Sequence, residues 1–349
     1  MRHSKNFGRI IRPWWVTAII LLTGGCLQQS HNEVVVHAAL DREFSQPILD
    51  DLGKELGIKV LSKFDQESNK TIGLVTGIIQ SKQHPQADIF WNNEILHTLR
   101  LQKLGLLEVY RSPQAKHFPE QFLSSKNQWH GFAGRARVLI INTDLIPNAD
   151  QRPDSIHDLA DVKWKGRCAI ARPLFGTTAT HVAVLFAELG EDAAKELLVD
   201  IANNASIEGG NKQVAQKVAR GQYAFGLTDT DDAMIEIERA SSVAIVFPDQ
   251  NDGELGTLLI PNTLAIIKNG PNPERAKLLI DRLLQPDIEV RLASGASAQI
   301  PLSQAVEFKS RVVPRDKELK IMRADFQAAA DEWDRAARFV MKTFPVGRK

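Results

Sequence analysis

Gly226-Leu227-Thr228-Asp229-Thr230-Asp231-Asp232-Ala233 follows an amphipathic run over residues 211–220 and a turn at Gly221, and it opens an apolar-periodic run over 234–237. That order predicts a strand end, a polar loop and a helix start. Three carboxylates and two hydroxyls crowd the one connection. Asp and Thr satisfy the orphan N–H groups of a helix start, and clustered carboxylate oxygens also select hard cations or ammonium groups. The stretch is therefore either a well-capped helix N-terminus or a ligand site, and the rest of the chain has to decide between them.

Upstream, the same alternation of strand and helix recurs. Val34-Val35-Val36-His37-Ala38-Ala39 reads as a buried strand, residues 43–56 as a helix ending at Gly57, and Ile58-Lys59-Val60 as the next strand. A helix over 71–80 leads to a third strand, Ala87-Asp88-Ile89-Phe90-Trp91, and to the polar loop Asn92-Asn93-Glu94, with a further helix over 95–104. Such alternation predicts an α/β fold whose parallel sheet is covered on both faces and whose ligand groups lie at the carboxyl ends of the strands. Asp41 and the Asn92, Asn93, Glu94 set are then the exposed groups of the first half.

A small-residue lead-in, Gly131-Phe132-Ala133-Gly134, opens a long strand running to Asn142, read as a hinge-crossing strand. Arg135 and Arg137 alternate with apolar residues and share one face, where they either clamp an anion or make ion pairs at the hinge. A second series starts at Cys168-Ala169-Ile170. Gly176-Thr177-Thr178 opens a helix to Leu189 and either receives phosphate, sulfate or carboxylate on its N–H groups or simply caps itself. His181, just beyond, is a candidate to approach the ligand. After the opening stretch come a strand over 243–247, a loop over 248–256, an apolar β-rich return crossing over 257–267, and helices over 273–284, 287–294 and 317–341, the last amphipathic.

The chain starts with Arg2, Lys5, Arg9 and Arg12, an apolar segment over 14–22, and Thr23-Gly24-Gly25-Cys26. A membrane span needs about 20 apolar residues, so the segment reads as an export signal over 1–25. Cys26 after two glycines resembles a lipobox, with Thr23 where Leu is usual, and is the expected lipidation site. The other reading is a cleaved signal with an incidental Cys. Residues 26–32 form a tether. The whole chain carries 43 Lys and Arg against 42 Asp and Glu. Without residues 1–25 the balance turns slightly acidic, and nothing in it suggests nucleic acid, which would need a concentrated basic face. Cys168, alone once Cys26 is acylated, reads as a small buried hydrophobe. The length predicts two lobes: residues 33–133 with 257–312, and residues 134–256, followed by a C-terminal packing segment over 313–349.

Several local patterns now point the same way: Gly57-Ile58-Lys59-Val60, Pro85-Gln86-Ala87-Asp88-Ile89-Phe90-Trp91, Gly134-Arg135-Ala136-Arg137-Val138-Leu139, Trp164-Lys165-Gly166-Arg167, and Ala219-Arg220-Gly221-Gln222-Tyr223-Ala224-Phe225-Gly226. In these the chain resembles the extracellular solute-binding proteins of ABC importers, specifically the ferric-ion-binding periplasmic branch. The resemblance implies a type II binding-protein fold, two α/β lobes joined by crossing strands around a ligand cleft, and function by closure on the ligand for delivery to an inner-membrane permease. It also implies a monomer, periplasmic or cell-surface, held here by a lipid on Cys26. No cofactor is expected, only a metal ion and a partnering anion as cargo. Relatives place a His after the first strand, a Glu after the third and two adjacent Tyr in the late loop. Those positions fall here on Asp41, on Asn93 or Glu94, and on Asp231 and Asp232.

The tyrosines of this chain are Tyr110 and Tyr223, neither in that loop, so a tyrosinate iron site is excluded. Asp41, Glu94, Asp231 and Asp232 remain as an oxygen-rich set for a hard cation or an ammonium-bearing solute such as a polyamine, with Arg135, Thr228 and Asp229 beside them. Gly176, Thr177 and Thr178 would hold an anion, and a phosphorylated or phosphonate solute would use both halves. A carboxylate-dependent hydrolase is the alternative of another class, although neither Gly-x-Ser-x-Gly nor His-Glu-x-x-His occurs.

Overall fold

In chain order the elements are β1 (Glu33–Ala38), α1 (Arg42–Leu56), β2 (Lys59–Phe64), α2 (Ile72–Gln80), β3 (Ile89–Asn92), α3 (Leu96–Lys103), β4 (His130–Asn142), β5 (Cys168–Ala171), α4 (Gly176–Leu189), α5 (Glu191–Asn204), β6 (Ser206–Glu208), α6 (Asn211–Ala219), β7 (Phe225–Asp229), α7 (Thr230–Glu238), β8 (Val243–Val246), β9 (Leu259–Ile266), α8 (Pro273–Leu283), α9 (Pro286–Ser294) and α10 (Phe326–Thr343). This computed structural model describes residues 1, 32–65, 71–308, 310–313 and 318–345. The expected signal segment beyond Met1, the lipidated Cys26 and the tether up to residue 31 lie outside the described residues. Among those described, no helix is long and apolar enough to cross a membrane.

The sheet runs β2-β1-β3-β9-β4-β7-β5-β6, with β8 also paired to β4. Its two ends are parallel, β2 and β3 flanking β1 and β6 and β7 flanking β5. Its middle is antiparallel through β9 and β4. The described residues from Asn32 onward form one compact unit. Strand β4, about 43 Å long at the usual rise, is buried along its whole length. Its first half pairs with β9 and its second half with β7 and β8, so it crosses from one α/β half to the other. The fold is the type II arrangement of two α/β lobes joined by crossing strands. In β7, a Cβ on Gly226 would meet Val214 Cγ1 at 2.5 Å and the Ala169 carbonyl at 2.8 Å, and the missing side chain lets α6 and β5 close on β7.

Two expectations need correction. No polar loop separates β7 from α7, because the strand continues through Asp229 and the helix starts at Thr230. The Asp229 side chain does not cap that helix; it points at an arginine instead. Helix α10 starts at Phe326 rather than at 317, since the Asp325 carboxylate accepts from the Gln327 and Ala328 N–H groups and sets the helix start there. The residues before it run alongside β9's entry, with Thr257 N–H donating to Lys320 O and Met322 N–H to Thr257 O. Ala336 and Val340 of α10, with Phe344 just past its end, then pack with Val182, Leu185 and Phe186 of α4. Phe326 and Ala329 reach the apolar cluster of α2 and α3.

Three buried histidines give the fold a pH limit. Burial, aided by Lys63 and opposed by Asp65, holds His37 down to about 4. Burial with Arg111 does the same to His130, also to about 4, where Nε2 accepts the Ser112 N–H. Burial with Arg137, against Asp229, takes His181 to about 3. An unfolded imidazole gains its proton near 6.5, so below that pH the unfolded state binds more protons and stability falls. Stability is therefore full above about 6.5 and declines towards pH 4, by on the order of 3 kcal/mol for each of these residues. The midpoint of thermal unfolding, followed by circular dichroism, is expected to be level from pH 8 to 7 and to drop steeply from 6.5 to 4.5. A level profile down to 4.5 would show these imidazoles to be accessible.

Candidate functional site

The site grows from the register of two strands. In the antiparallel pairing of β4 with β7, Arg137 stands directly opposite Asp229. Side chains two apart on a strand share a face, so Arg135 extends the charged face of β4, and Asp231 in the first turn of α7 meets it. Both pairs close: Arg137 Nη1 lies 2.6 Å from Asp229 Oδ1 and Arg135 Nη1 lies 3.0 Å from Asp231 Oδ2. All four side chains are buried. Both arginines thus make the ion pairs of one of the two sequence readings.

Around Asp229 the shell is tight. Its Oδ2 accepts from Thr177 Oγ1 at 2.6 Å and from Asn211 Nδ2 at 2.9 Å, and Arg137 also donates to Thr177, Thr178 and Asn211. Burial on its own would raise the Asp229 carboxyl, but Arg137, Arg135 and the Thr177 hydroxyl together hold it below the ordinary range. Burial likewise works against the charge on Arg135, and Asp231, Asp229, Asp41 and Asp232, in that order, outweigh it. Four carboxylates therefore favour the charge of one guanidinium, and Asp231 is in contact with it. Asp229, Asp231 and Asp232 each offer an oxygen within 4.8 Å of the others. Asp41 and Glu94, expected as further metal ligands, lie outside that set.

Glu94 is placed differently from the expectation. Its Oε2 accepts from the Leu96 N–H and from Thr180 Oγ1, and its Oε1 from the His97 N–H and Asn92 Nδ2. It caps α3 and ties that helix to α4. Asn92 also donates to Thr98, and Asn93 accepts from Thr71. Thr228 Oγ1 donates to the Asn211 carbonyl. Asp41 stands at the N-cap position of α1 without bonding that helix's N–H groups through its side chain. Gly176, at φ +63°, starts α4, and Thr177 and Thr178 turn their hydroxyls to the Arg137 shell rather than capping it. Cys168 is fully buried, and burial pushes its thiol up to about 12, as a small core residue requires.

Beside Asp232 opens a pocket of about 670 Å³ bordered by Arg172, Phe175, Gly176, Gly210, Asn211 and Lys212. Phe175 and Gly210 are the N-cap positions of α4 and α6, and neither supplies a side-chain cap. The pocket thus has one acidic wall, at Asp232, and one wall made of two helix starts, an arginine and a lysine. Asn211, which bonds Asp229, Thr177, Thr178 and Arg137 at once, was not anticipated from the sequence, where it is one polar residue at the start of an amphipathic run. His181 lies one turn beyond Thr177 on α4; among the described residues neither of its ring nitrogens has a hydrogen-bond partner.

Two α/β lobes, crossing strands and a charged row at the junction define a solute-binding protein. The family described as bacterial extracellular solute-binding protein matches residues 87–328, and the chain belongs to that family. Among its relatives is Iron uptake protein A1 of Synechocystis sp., 26% identical over 74% of this chain and 79% of that protein. Of solved structures, the ferric binding protein from Campylobacter jejuni superposes with a TM-score of 0.80 at 22% identity, covering 89% of this chain and 99% of that one. The periplasmic binding protein AfuA from Actinobacillus pleuropneumoniae, with exogenous fructose-6-phosphate bound, superposes with a TM-score of 0.77 at 22% identity, covering 90% and 99%.

Proposed function

We propose that this protein captures a metal cation of the ferric type, together with an anion, by closure of its lobes and delivers it to an ABC permease. The observation that carries this reading is the cluster of carboxylates at the end of β7, where Asp229, Asp231 and Asp232 each offer an oxygen within 4.8 Å of the others. Clustered carboxylate oxygens are the ligands that a hard cation selects. Asp231 and Asp232 hold the metal, Asp229 and Arg137 order them, and the helix starts beside Gly176 and Asn211 take the anion. Relatives named for iron uptake and ferric binding support the cargo. The protein acts by stoichiometric binding, without turnover. Before capture it is a monomer, exported and anchored through Cys26.

The basic wall of the pocket favours a second reading, a phosphorylated or phosphonate solute whose anionic end sits on Arg172, Lys212 and the two helix starts while an amine or hydroxyl faces Asp232. A thermal-shift series separates the two. The metal-stripped protein is heated with Fe3+, Mn2+ or Ca2+, each with and without phosphate, and then with phosphonates, sugar phosphates and polyamines. Ligand at 100 times its Kd stabilises by about 2.7 kcal/mol, a rise of several degrees. The expected result is the largest rise with Fe3+ plus phosphate. A rise confined to an organic solute would replace the metal by that solute, and release of product from it would make the protein a hydrolase.

A further inference from the structure

Just before Arg135, strand β4 contains an irregularity that the site does not by itself explain. The register with β9 shifts between Phe132 and Gly134, and the residue in the shift, Ala133, has φ +41°, a left-handed conformation that disfavours any side chain. Such a conformation persists only where its surroundings impose it. Here two side chains do so, one at its N–H and one at its carbonyl. Glu289 on α9 accepts the Ala133 N–H at 2.6 Å and the Leu302 N–H at 3.0 Å through Oε1, and the Ser303 N–H at 2.8 Å through Oε2. Asn262 on β9 donates through Nδ2 to the Ala133 carbonyl and to Gln299 Oε1. Both residues are completely buried, and among the described residues Glu289 has no ion pair. The other end of Asn262 reaches the site, since its Oδ1 accepts from Arg135 Nη2 at 3.3 Å while Arg135 Nη1 holds Asp231.

We infer that Glu289, on a helix remote from the carboxylate row, positions Arg135 against Asp231 through the Ala133 bulge and Asn262. The chain of contacts is continuous: Glu289 to Ala133, Ala133 to Asn262, Asn262 to Arg135, Arg135 to Asp231. The bulge turns the strand so that Arg135 projects into the row, and the carboxylate keeps the bulge in place. Glu289 is a positioning residue of the reading proposed above, and its own test does not require that the cargo be known.

That test follows the Arg135 Nε–H signal in spectra of the metal-free protein carrying 13C,15N-labelled arginine, assigned by its loss in Arg135→Lys. In Glu289→Gln the signal is expected to move and to exchange with solvent at least tenfold faster, because Arg135 is no longer held. Glu289→Asp, which keeps the charge but falls one methylene short of its three N–H partners, should behave in the same way. Adding Ala133→Gly to Glu289→Gln should restore the signal, since glycine adopts the left-handed conformation without strain; this pair also serves if Glu289→Gln alone does not fold. Titration with Fe3+ supplied from citrate should give a Kd about tenfold higher for Glu289→Gln, and no further rise when Arg135→Lys is combined with it. An unchanged Arg135 signal in Glu289→Gln, or effects of the two substitutions that multiply, overturns the positioning role. Failure of the unmodified protein to bind Fe3+ overturns the cargo reading instead and leaves the spectroscopic result to decide the role of Glu289.

Discussion

Asp232→Ala is expected to remove the stabilisation by Fe3+ while leaving the metal-free protein almost as stable as before. Asp232 is half-buried and opens on the pocket, whereas Asp231 is buried and paired at 3.0 Å with Arg135. The two neighbours, equivalent in sequence, should therefore respond differently. Asp231→Ala strands a buried guanidinium, and breaking a buried pair by removing one partner costs about 3–5 kcal/mol, so this variant should lose both metal binding and thermal stability. Even outer partners of metal ligands account for about 10–100-fold in affinity. Loss of the Asp232 oxygen should accordingly raise the Kd for Fe3+ by at least about 100-fold. The measurement is a pair of melting curves, with and without Fe3+ and phosphate, for each variant. An Asp232→Ala protein that is still stabilised by Fe3+ to the full extent would remove the carboxylate row from the cargo site.

Much of the fold is legible because its signals are local. The αL cap at Gly57, the apolar run Val138-Leu139-Ile140-Ile141 of β4 and the Gly-Thr-Thr start of α4 each state their structure within a few residues. Helix α5 carries Ala194, Leu197, Leu198 and Ile201 at helical spacing and buries all four, yet it follows α4 after the single Gly190 and is absent from the expected elements. The site is less legible because it depends on register. That Arg137 faces Asp229 follows from which residue of β4 pairs with which residue of β7, and a slip of one residue would put the arginine on the other face. Asn211, Asn262 and Glu289 act through partners 13 to 156 positions away, and no spacing in the chain announces such contacts. Glu94 shows the opposite case. Its place after β3 fits a ligand, and its carboxylate also accepts from the N–H groups of α3 only two and three residues on.

The pair beneath the row is expected to be the most costly to break. Arg137 is completely buried and contacts Asp229, Thr177, Thr178 and Asn211. Arg137→Met keeps much of the volume but leaves the Asp229 carboxylate buried with no cation opposite it, a loss of about 3–5 kcal/mol and on the order of 10 °C in melting temperature for a chain of this size. The pH dependence should carry the signature of the cause. In the unmodified protein Asp229 titrates below its ordinary value, so the pair contributes stability above about pH 4 and loses it as the pH falls further. Without Arg137, burial pushes that carboxyl up, the folded state takes the proton first, and the deficit shrinks as the pH is lowered from 7 to 5. Replacing both partners, as in Arg137→Met with Asp229→Leu, leaves no buried charge and should recover most of the loss. Melting curves of the two variants at pH 7 and pH 5 test this together, and an Arg137→Met protein within about 1 kcal/mol of the original at pH 7 would show that water reaches the pair.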